Sequence, residues 1–270
     1  GSVLHAFVFY GVVDYRLVKL VDFLEGFFGV QARGGIWNAY NIVADLLTFL
    51  ILVGILGLML RRYLLAPRDF TWNPNVPLHE KARAGIARDS AIVGAFIAFH
   101  VGSRLLSKAF QLAGEGPDPF QPVASALAGA LSGLPPALLT FGEHFFWWGA
   151  LGSILLFLPY FPRSKHIHLF MAPINLAFRK EVPGALTPLD FEKEEEKFGA
   201  EKLEDLSWKR LLDAYACIMC NRCQEACPAY TTGKALSPAA ILISERYELN
   251  EILPRFAQGE ESPRPLMDFA

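Results

Sequence analysis

The residues with the most distinctive chemistry are four cysteines close together in the last quarter of the chain. They are Cys217, Cys220, Cys223 and Cys227, and Pro228 directly follows the last one. The spacing C-x2-C-x2-C-x3-C-P is typical of loops that hold iron–sulfur clusters, where the fourth cysteine often binds a neighbouring cluster. The sequence therefore predicts a 4Fe-4S site at Cys217, Cys220 and Cys223, with Cys227 as a ligand of this cluster or of a second one.

Two other uses of four clustered thiols stay open at this point. Two disulfides would require an oxidising compartment, and a zinc site usually divides its ligands into two separated pairs. The compact run of cysteines fits either use less well than it fits a cluster. The sequence therefore favours iron–sulfur binding, with zinc and disulfides as alternatives.

Histidine is the second residue type that can carry chemistry here. The histidines are His5, His79, His100, His144, His166 and His168. A neutral imidazole can bind heme iron, relay protons or form a hydrogen bond between helices, and two imidazoles on facing helices can hold one heme. Each histidine within an apolar helix is therefore a candidate heme ligand, with a proton relay or an interhelical hydrogen bond as the alternatives. His79 lies in a basic loop and is expected at the surface.

The elements that must position these residues are apolar helices. Hydrophobic residues make up 53% of the chain and charged residues 19%, and the net charge of −2 argues against nucleic-acid binding through bulk charge. A run of about 20 apolar residues can cross a bilayer. Spans are predicted at residues 3–28, 36–60, 90–113 and 136–161. The first of them carries charged side chains in its second half.

Lysine and arginine residues indicate the orientation of these spans. They are frequent at residues 61–88 and just after residue 161, whereas residues 114–136 contain none. Cytoplasmic loops of membrane proteins carry the excess of basic residues. We therefore predict a multi-pass protein of the cell membrane with the cysteines on the cytoplasmic side, where a reducing environment keeps thiols available as ligands.

This topology sorts the histidines by depth. His5 lies near the cytoplasmic end of the first span, at the same depth as His166 and His168, which follow the last span. His100 lies near the middle of the third span, and His144 lies in the outer half of the last one. The first group can bind one heme, and the second pair can bind another.

Three stretches of the chain are similar to known families. HAFVFYG at residues 5–11 and PRSKHIHLFMAPINLAF at residues 162–178 resemble the membrane cytochrome b of the nitrate reductase gamma subunit family, a pattern shared by membrane subunits of heterodisulfide-reductase-like complexes. CIMCNRCQEACPAYTTGKALSP at residues 217–238 resembles the iron–sulfur subunit of those complexes. The chain thus resembles a fused, membrane-bound, heterodisulfide-reductase-like iron–sulfur oxidoreductase with an N-terminal cytochrome b domain.

The resemblance implies ligands for heme b. The histidines that hold the cytoplasmic-side heme in the gamma-subunit pattern correspond to His5 and His168, with His166 as the alternative if the helix register differs. The ligand positions of the second heme in that pattern are Tyr15 and Ala150 here. The chain therefore binds either one heme, or a second heme through other residues.

Other residues are available for a second heme. His100 and His144 can replace the missing pair, and their presence favours two hemes over one. Arg104 lies one turn beyond His100, and Arg104 and Lys108 can either pair with heme propionates or extend to the outer interface.

The predicted fold is all-α: a transmembrane four-helix heme-binding bundle followed by a cytoplasmic, helical, ferredoxin-like iron–sulfur domain. The domains are expected at residues 1–180 for the cytochrome b part, 181–206 for a charged linker and 207–270 for the 4Fe-4S part. Helices are expected to begin at Ser207 and at Ser237, on either side of the cysteines. Because the family has another span before HAFVFYG and further cysteine motifs downstream, we expect the chain to be part of a longer protein.

The function implied by the resemblance is electron transfer between a cytoplasmic cluster and the quinone pool, with menaquinone as the expected quinone, through heme b. An electron-transferring flavoprotein is the expected soluble partner. The alternatives are a non-catalytic heme and iron–sulfur anchor subunit of a larger respiratory complex, and a quinol-driven disulfide reductase. Quinone dissolves in the membrane, so its site must touch the spans, where Tyr40, Asp45 and Glu143 are candidates for handling its protons. Asp45 can instead form an ion pair with Arg16 or Lys19.

Overall fold

Helices form every regular element in the part of the chain that the computed structural model describes. The described residues are 2–29, 34–65, 70–179 and 199–268. The all-α fold class is therefore confirmed for this part. Most of the predicted linker at 181–206 lies outside the described residues.

Two compact units divide the chain. The first consists of Gly1–Ala66 and Ala91–Pro159, and the second of Pro67–Ser90 and Tyr160–Ala270. The division does not follow chain order, and it falls inside helix α3, Ala82–Glu115. The first unit carries the apolar helices and the second carries the cysteines.

The first unit is a bundle of long helices. In addition to its share of α3 it contains α1 (Ser2–Phe28), α2 (Gly35–Leu60), α4 (Pro122–Leu131) and α5 (Pro136–Phe157). A π-helical turn, Arg61–Leu65, continues α2. The sequence treated residues 114–136 as a loop, so α4 was missed, although its proline at the first turn and its alanines and leucines are typical of a helix.

Glycines allow the long helices to approach closely. A side chain at Gly54 of α2 would place its Cβ 2.8 Å from the backbone oxygen of Leu4 on α1. At Gly142 of α5 it would lie 2.5 Å from the ring of Phe110 on α3. Small residues at helix crossings are the usual means by which membrane helices pack without a hydrophobic driving force.

Two helices among the described residues are long and apolar enough to cross a membrane, namely Gly35–Leu65 and Ala82–Glu115. They correspond to the second and third predicted spans. Helices α1 and α5 do not meet the same criterion, so the count of four spans stays a prediction. Both nevertheless carry many exposed apolar side chains. On α1 these include Phe9, Tyr10, Val13, Leu17, Leu20 and Phe27, and on α5 Phe141, Phe145, Trp148, Leu155 and Leu156.

Ion pairs bind the charged residues in the last third of α1. Asp22 pairs with Lys19 on its own helix and with Arg104 on α3, at 3.1 and 3.0 Å. Lys108 of α3 lies 3.6 Å from Glu25. Lys19, Asp22 and Glu25, which lower the mean hydropathy of α1, therefore have partners of opposite charge.

The second unit packs around the last long helix, α10 (Pro238–Phe256). One apolar cluster joins the start of α3 to the cysteine loop and α10, and it consists of Ala82, Ile86, Met219, Ala239 and Ile243. A second cluster joins α10 to α7 (Trp208–Ala216), and it consists of Leu203, Ala214, Leu249 and Ile252. The remaining helices of this unit are α6 (His168–Ala177), α8 (Arg222–Glu225) and α9 (Pro228–Thr231).

Capping serines start the two helices that flank the cysteines. The Ser207 side chain accepts a hydrogen bond from the N–H of Arg210, and the Ser237 side chain accepts one from the N–H of Ala240. Pro238 occupies the first position of α10. Both predicted helix starts are confirmed.

His79 differs from its predicted surface position. Its side chain is buried, with 2% of its surface exposed. Its Nε2 lies 3.2 Å from the carboxylate of Glu248 on α10, and its Nδ1 accepts a hydrogen bond from the N–H of Lys81. The prediction was wrong because the acidic partner is distant in sequence and gives no local signal.

Candidate metal centre and histidine sites

The cysteines occupy a loop built from three helix ends. Cys217 directly follows α7, Cys223 lies in α8, and Cys227 immediately precedes α9. Cys220 lies between α7 and α8. All four are free thiols, so the structure contains none of the disulfides that were an alternative.

The backbone of this loop is left-handed at two non-glycine residues. Met219 has a φ of 60° and Asn221 a φ of 62°, and they flank Cys220. Such conformations cost about 1–3 kcal/mol each and persist where the surrounding structure imposes them. Met219 is 4% exposed and packs in the apolar cluster with α10, which holds the loop in this shape. Left-handed turns direct successive N–H groups to one concave side, an arrangement that binds anionic groups including iron–sulfur clusters.

Backbone N–H groups point toward the cysteine sulfurs. The N–H of Met219 donates to Cys217 Sγ at 3.3 Å. Burial raises the pKa of the Cys223 thiol, and a hydrogen bond from the backbone N–H of Gln224 opposes part of this increase. The Gln224 side chain is buried and accepts a hydrogen bond from the Ser237 hydroxyl at 2.6 Å, so the loop is fixed to the start of α10.

Burial favours the protonated form of two of the thiols. It raises the pKa of the Cys217 thiol, and the neighbouring Cys220 and Cys223 raise it further. Burial also raises the pKa of the Cys223 thiol. Iron binds thiolates, so loading of a cluster would release protons.

The donor set fits a cluster. Within the described residues, no three histidine, cysteine, aspartate or glutamate side chains gather closely enough to enclose one metal ion. A single zinc ion requires four donors about 2.3 Å or less from the same point. A 4Fe-4S cluster instead presents a separate iron to each thiolate, so its ligands can lie farther apart. Cys217, Cys220 and Cys223, with the N–H groups around them, are the residues that would hold it.

His168 has the hydrogen bond expected of a metal-binding imidazole. Its Nδ1 lies 2.7 Å from the backbone oxygen of Lys165. Because a carbonyl only accepts, Nδ1 must carry the hydrogen, which leaves the lone pair on Nε2. Metal-binding histidines usually donate their other ring N–H to such a group. The side chain therefore fits the ligand role that the sequence predicted.

His166 lies in the same turn. Its backbone N–H donates to the Ser164 hydroxyl, and its imidazole ring packs edge-on against Phe161. Burial lowers its pKa to about 4, and His168 and Lys165 contribute to this shift. His166 is therefore neutral at physiological pH, and an imidazole must be neutral to act as the alternative heme ligand.

The turn that carries these histidines is held by the start of α3. The Asp89 carboxylate is buried and accepts hydrogen bonds from the Tyr160 hydroxyl at 2.6 Å and from the N–H of Lys165 at 3.0 Å. The Lys165 ammonium donates to the Ser90 hydroxyl. The Tyr160 hydroxyl and the backbone and side chain of Lys165, about 70 residues further along the chain, are thus bound to the start of α3.

His5 belongs to the other unit and has an exposed side chain on α1. Its pairing with His168 rests on the sequence resemblance and stays a prediction.

His100 forms an interhelical hydrogen bond. Its side chain is 7% exposed, and its Nδ1 lies 2.8 Å from the backbone oxygen of Ala150 on α5, with the Ser153 hydroxyl at 3.2 Å. Its ring contacts that of Tyr15, with the centroids 5.4 Å apart. His100 therefore lies beside the two positions, Tyr15 and Ala150, where the gamma-subunit pattern has its second pair of ligands.

His144 lies elsewhere on α5. Its side chain is exposed, and its Nδ1 bonds to the backbone oxygen of Thr140 on the same helix at 2.9 Å. His144 and Ala150 are six residues apart, which is roughly 240° around the helix. The structure therefore does not bring the side chains of His100 and His144 together.

Arg104 is enclosed in the bundle and bound to Asp22. Its guanidinium donates to both carboxylate oxygens, with Nε at 3.0 Å from one and Nη2 at 3.2 Å from the other. Only 11% of its side chain is exposed, so it does not extend to an interface. A heme propionate would have to compete with this carboxylate.

The candidates for quinone chemistry have different surroundings. Asp45 accepts hydrogen bonds from the N–H groups of Val123 and Ala124, so its carboxylate caps the first turn of α4. Lys19, a possible partner of Asp45 from the sequence, pairs with Asp22 instead. The Tyr40 hydroxyl is buried and has no hydrogen-bond partner among the described residues.

Glu143 lines a cleft of about 750 Å³ in the first unit. The cleft combines charged and aromatic walls, which include Lys19, Arg104, Lys108, Trp37 and Trp147. Tyr40 and Asp45 line a smaller pocket that shares Asp22, Asn41 and Arg104 with this cleft. The sequence could not locate the cleft, because its lining comes from several helices.

Comparison with known proteins identifies two larger relatives. The chain is 32% identical over 257 residues to the probable iron-sulfur-binding oxidoreductase FadF of Bacillus subtilis, a match that covers 93% of this chain and 34% of that protein. It is also 32% identical over 244 residues to the EtfAB:quinone oxidoreductase of Syntrophomonas wolfei, covering 89% of this chain and 34% of that protein. The chain thus spans about a third of the length of these relatives.

A shorter match is to the probable membrane-anchored ferredoxin of Chromohalobacter salexigens, with 30% identity over 85 residues, 30% of this chain and 13% of that protein. No protein-family profile matches the chain, and no solved structure is significantly similar to it. These similarities support the broad class of iron–sulfur oxidoreductases.

Proposed function

We propose that this chain is the membrane part and first cluster-binding loop of an iron–sulfur oxidoreductase that passes electrons between a 4Fe-4S cluster and the quinone pool through heme b. The observation that carries the proposal is the cysteine loop. Its thiols are free, its backbone is left-handed at Met219 and Asn221, and its N–H groups point to sulfur. The names of the two larger relatives agree with this reading.

Membrane insertion is supported by the distribution of polar and apolar side chains in the first unit. Asp22 pairs with Arg104 and Glu25 with Lys108 between α1 and α3, whereas large apolar side chains of α1, α2 and α5 are exposed. Exposed apolar surface of this extent is costly in water and favourable in lipid. We propose that α1 and α5 cross the cell membrane together with α2 and α3, and that the cysteines face the cytoplasm.

His168 is the proposed ligand of the cytoplasmic-side heme, with His5 as its partner and His166 as the alternative. Its Nδ1–H bond to Lys165 orients the ring and leaves Nε2 for iron. His100 and His144 do not converge, so we propose one heme b rather than two.

The cleft in the first unit is the proposed quinone site. A 4Fe-4S cluster and a heme each carry one electron at a time, whereas reduction of a quinone to a quinol takes two electrons and two protons. The Glu143 carboxyl and the Tyr40 hydroxyl are the groups that can transfer those protons. Asp45 is less suited, since the α4 backbone already binds both of its oxygens.

The proposed soluble partner is an electron-transferring flavoprotein, because the Syntrophomonas relative is named EtfAB:quinone oxidoreductase. The second candidate function is that of a non-catalytic electron-carrying anchor, which the name of the membrane-anchored ferredoxin favours. Quinol analogues would reduce the heme of the purified chain in the first case and leave it unchanged in the second. A quinol-driven disulfide reductase would in addition form thiols from an added disulfide.

The cluster assignment is tested by electron paramagnetic resonance of the purified, dithionite-reduced protein. We expect a reduced 4Fe-4S signal in the unmodified chain and its loss in Cys220→Ala, with the heme spectrum retained in both. Thr232→Ala, an exposed neighbour of the loop, is the matched control and should keep the signal. Protein that contains zinc and no iron would contradict the proposal.

A further inference from the structure

Arg246 on α10 is the largest fully buried side chain in the described part of the chain, with 1% of its surface exposed. A buried guanidinium is strongly unfavourable unless its donors are bound. The hydrogen bonds of Arg246 go to two backbone carbonyls. Nη1 donates to the oxygen of Cys217 at 3.3 Å, and Nη2 donates to the oxygen of Ser164. Its guanidinium carbon also lies 5.5 Å from the centre of the Tyr215 ring.

Both carbonyls belong to candidate redox sites. Cys217 is the first thiol of the cysteine loop, and Ser164 begins the turn that leads to His168. Within that turn, Nδ1 of His168 bonds to the oxygen of Lys165, the residue that follows Ser164. A continuous series of covalent and hydrogen bonds therefore runs from the imidazole of His168 through Arg246 to Cys217.

We infer that Arg246 is a positioning residue that holds a positive charge against the cysteine loop and so raises the reduction potential of the bound cluster. The inference rests on the proposed function, since it requires a cluster at Cys217, Cys220 and Cys223. One-electron reduction makes the cluster and its thiolates more negative. A fixed cation in a water-poor interior therefore favours the reduced state.

The fork of the guanidinium suits this position better than an ammonium would. Two of its nitrogens reach carbonyls on separate segments, and its central carbon lies over the ring of Tyr215. The charge is thereby fixed in place rather than mobile. Lysine would keep the charge and lose one of the two bonds.

The test is a redox titration of the complete membrane-embedded chain, followed through the electron paramagnetic resonance signal of the cluster. Arg246→Met removes the charge, Arg246→Lys keeps it, and Arg255→Met removes the same charge from an exposed position on the same helix. We expect Arg246→Met to lower the equilibrium constant for cluster reduction at least about tenfold, which is about 59 mV for one electron. Arg246→Lys should stay within about threefold of the unmodified chain, and Arg255→Met should not differ from it.

Two outcomes would overturn the inference while leaving the cluster assignment intact. One is an unchanged reduction potential in Arg246→Met, and the other is an equal fall of the potential in the methionine and lysine variants. If Arg246→Met fails to retain iron, the lysine variant decides between the two roles. An unshifted reduction potential in Arg246→Lys supports the role of the charge. A shifted potential, or loss of the cluster, overturns the inference and assigns Arg246 to folding alone. Absence of a cluster from the unmodified chain would instead overturn the proposed function.

Discussion

One arginine in each unit is largely buried, and the two bind different kinds of acceptor. Arg104 is held by the carboxylate of Asp22, but Arg246 is held by the carbonyls of Cys217 and Ser164. The carboxylate of Asp89 likewise accepts from the N–H of Lys165. Long helices satisfy their own backbone groups and leave few carbonyls for a guanidinium, whereas turns and short helices leave many. The carbonyls that bind Arg246 belong to the residue after α7 and to a turn, where the backbone has acceptors to spare.

The two units also differ in the chemistry that their helices position. In the second unit, α7 ends just before Cys217, α9 begins just after Cys227, and α6 begins at His168, so the candidate ligands lie at the ends of short helices. Long helices in the first unit enclose a cleft with charged and aromatic walls. The proposed cluster site is therefore in a loop and the proposed quinone site in a cleft.

The largest expected effect is that of His168→Ala. Heme should be lost completely while the iron–sulfur signal remains, because the imidazole is the proposed heme ligand and is not one of the proposed cluster ligands. Pyridine hemochrome analysis together with cluster spectroscopy measures both. His166→Ala is the control and should retain heme. Loss of heme in that variant and not in His168→Ala would move the ligand to His166.

Asp22→Ala tests the charge pairing of the first unit. It leaves Arg104 unpaired inside the bundle and should lower stability by about 3–5 kcal/mol. Thermal unfolding of the detergent-solubilised protein measures the change. Glu25→Gln, which affects a more exposed pair with Lys108, should cost no more than about 1 kcal/mol. Equal costs for the two variants would contradict the distinction between the buried and the exposed pair.

Asn221→Val tests the shape of the cysteine loop. A β-branched residue is strained at a φ of 62°, so the second unit should lose about 1–2 kcal/mol of stability. The loss of stability is measured as the release of iron during titration with denaturant. Asn221→Gly fits the same backbone and should retain iron as well as the unmodified chain does. A valine variant with unchanged iron retention would show that the loop is not held in this conformation.

Asp45→Ala tests a cap supplied by one helix to another. Removing the carboxylate leaves the N–H groups of Val123 and Ala124 without their acceptor, at a cost of about 1 kcal/mol. Hydrogen exchange at the start of α4 should increase while α2 is unaffected. If Asp45 instead transfers protons to quinone, turnover with quinol would fall without this local change.

Local signals made much of the second unit predictable from sequence. The spacing of the cysteines and the capping serines at 207 and 237 each act over a few residues, and both helix starts were correct. The burial of His79, the capping of α4 by Asp45 and the bridge made by Arg246 join residues that are distant along the chain. No short pattern encodes such pairs, so only the folded chain shows them.

Helices of the first unit were predicted from apolar runs, but the direction of individual side chains was not. His100 and His144 both lie in apolar helices, and the sequence paired them by depth alone. The structure places one against Ala150 and Tyr15 and the other on the exposed side of α5. Rotation around the helix axis, which depth does not specify, separates them.

The iron and heme content of the purified protein decides whether the cysteine loop and the histidine turn hold an iron–sulfur cluster and a heme, as proposed. We expect about four cluster irons and about one heme b per chain, with the heme reducible by a quinol analogue. Iron without heme, or zinc in place of iron, would contradict this expectation.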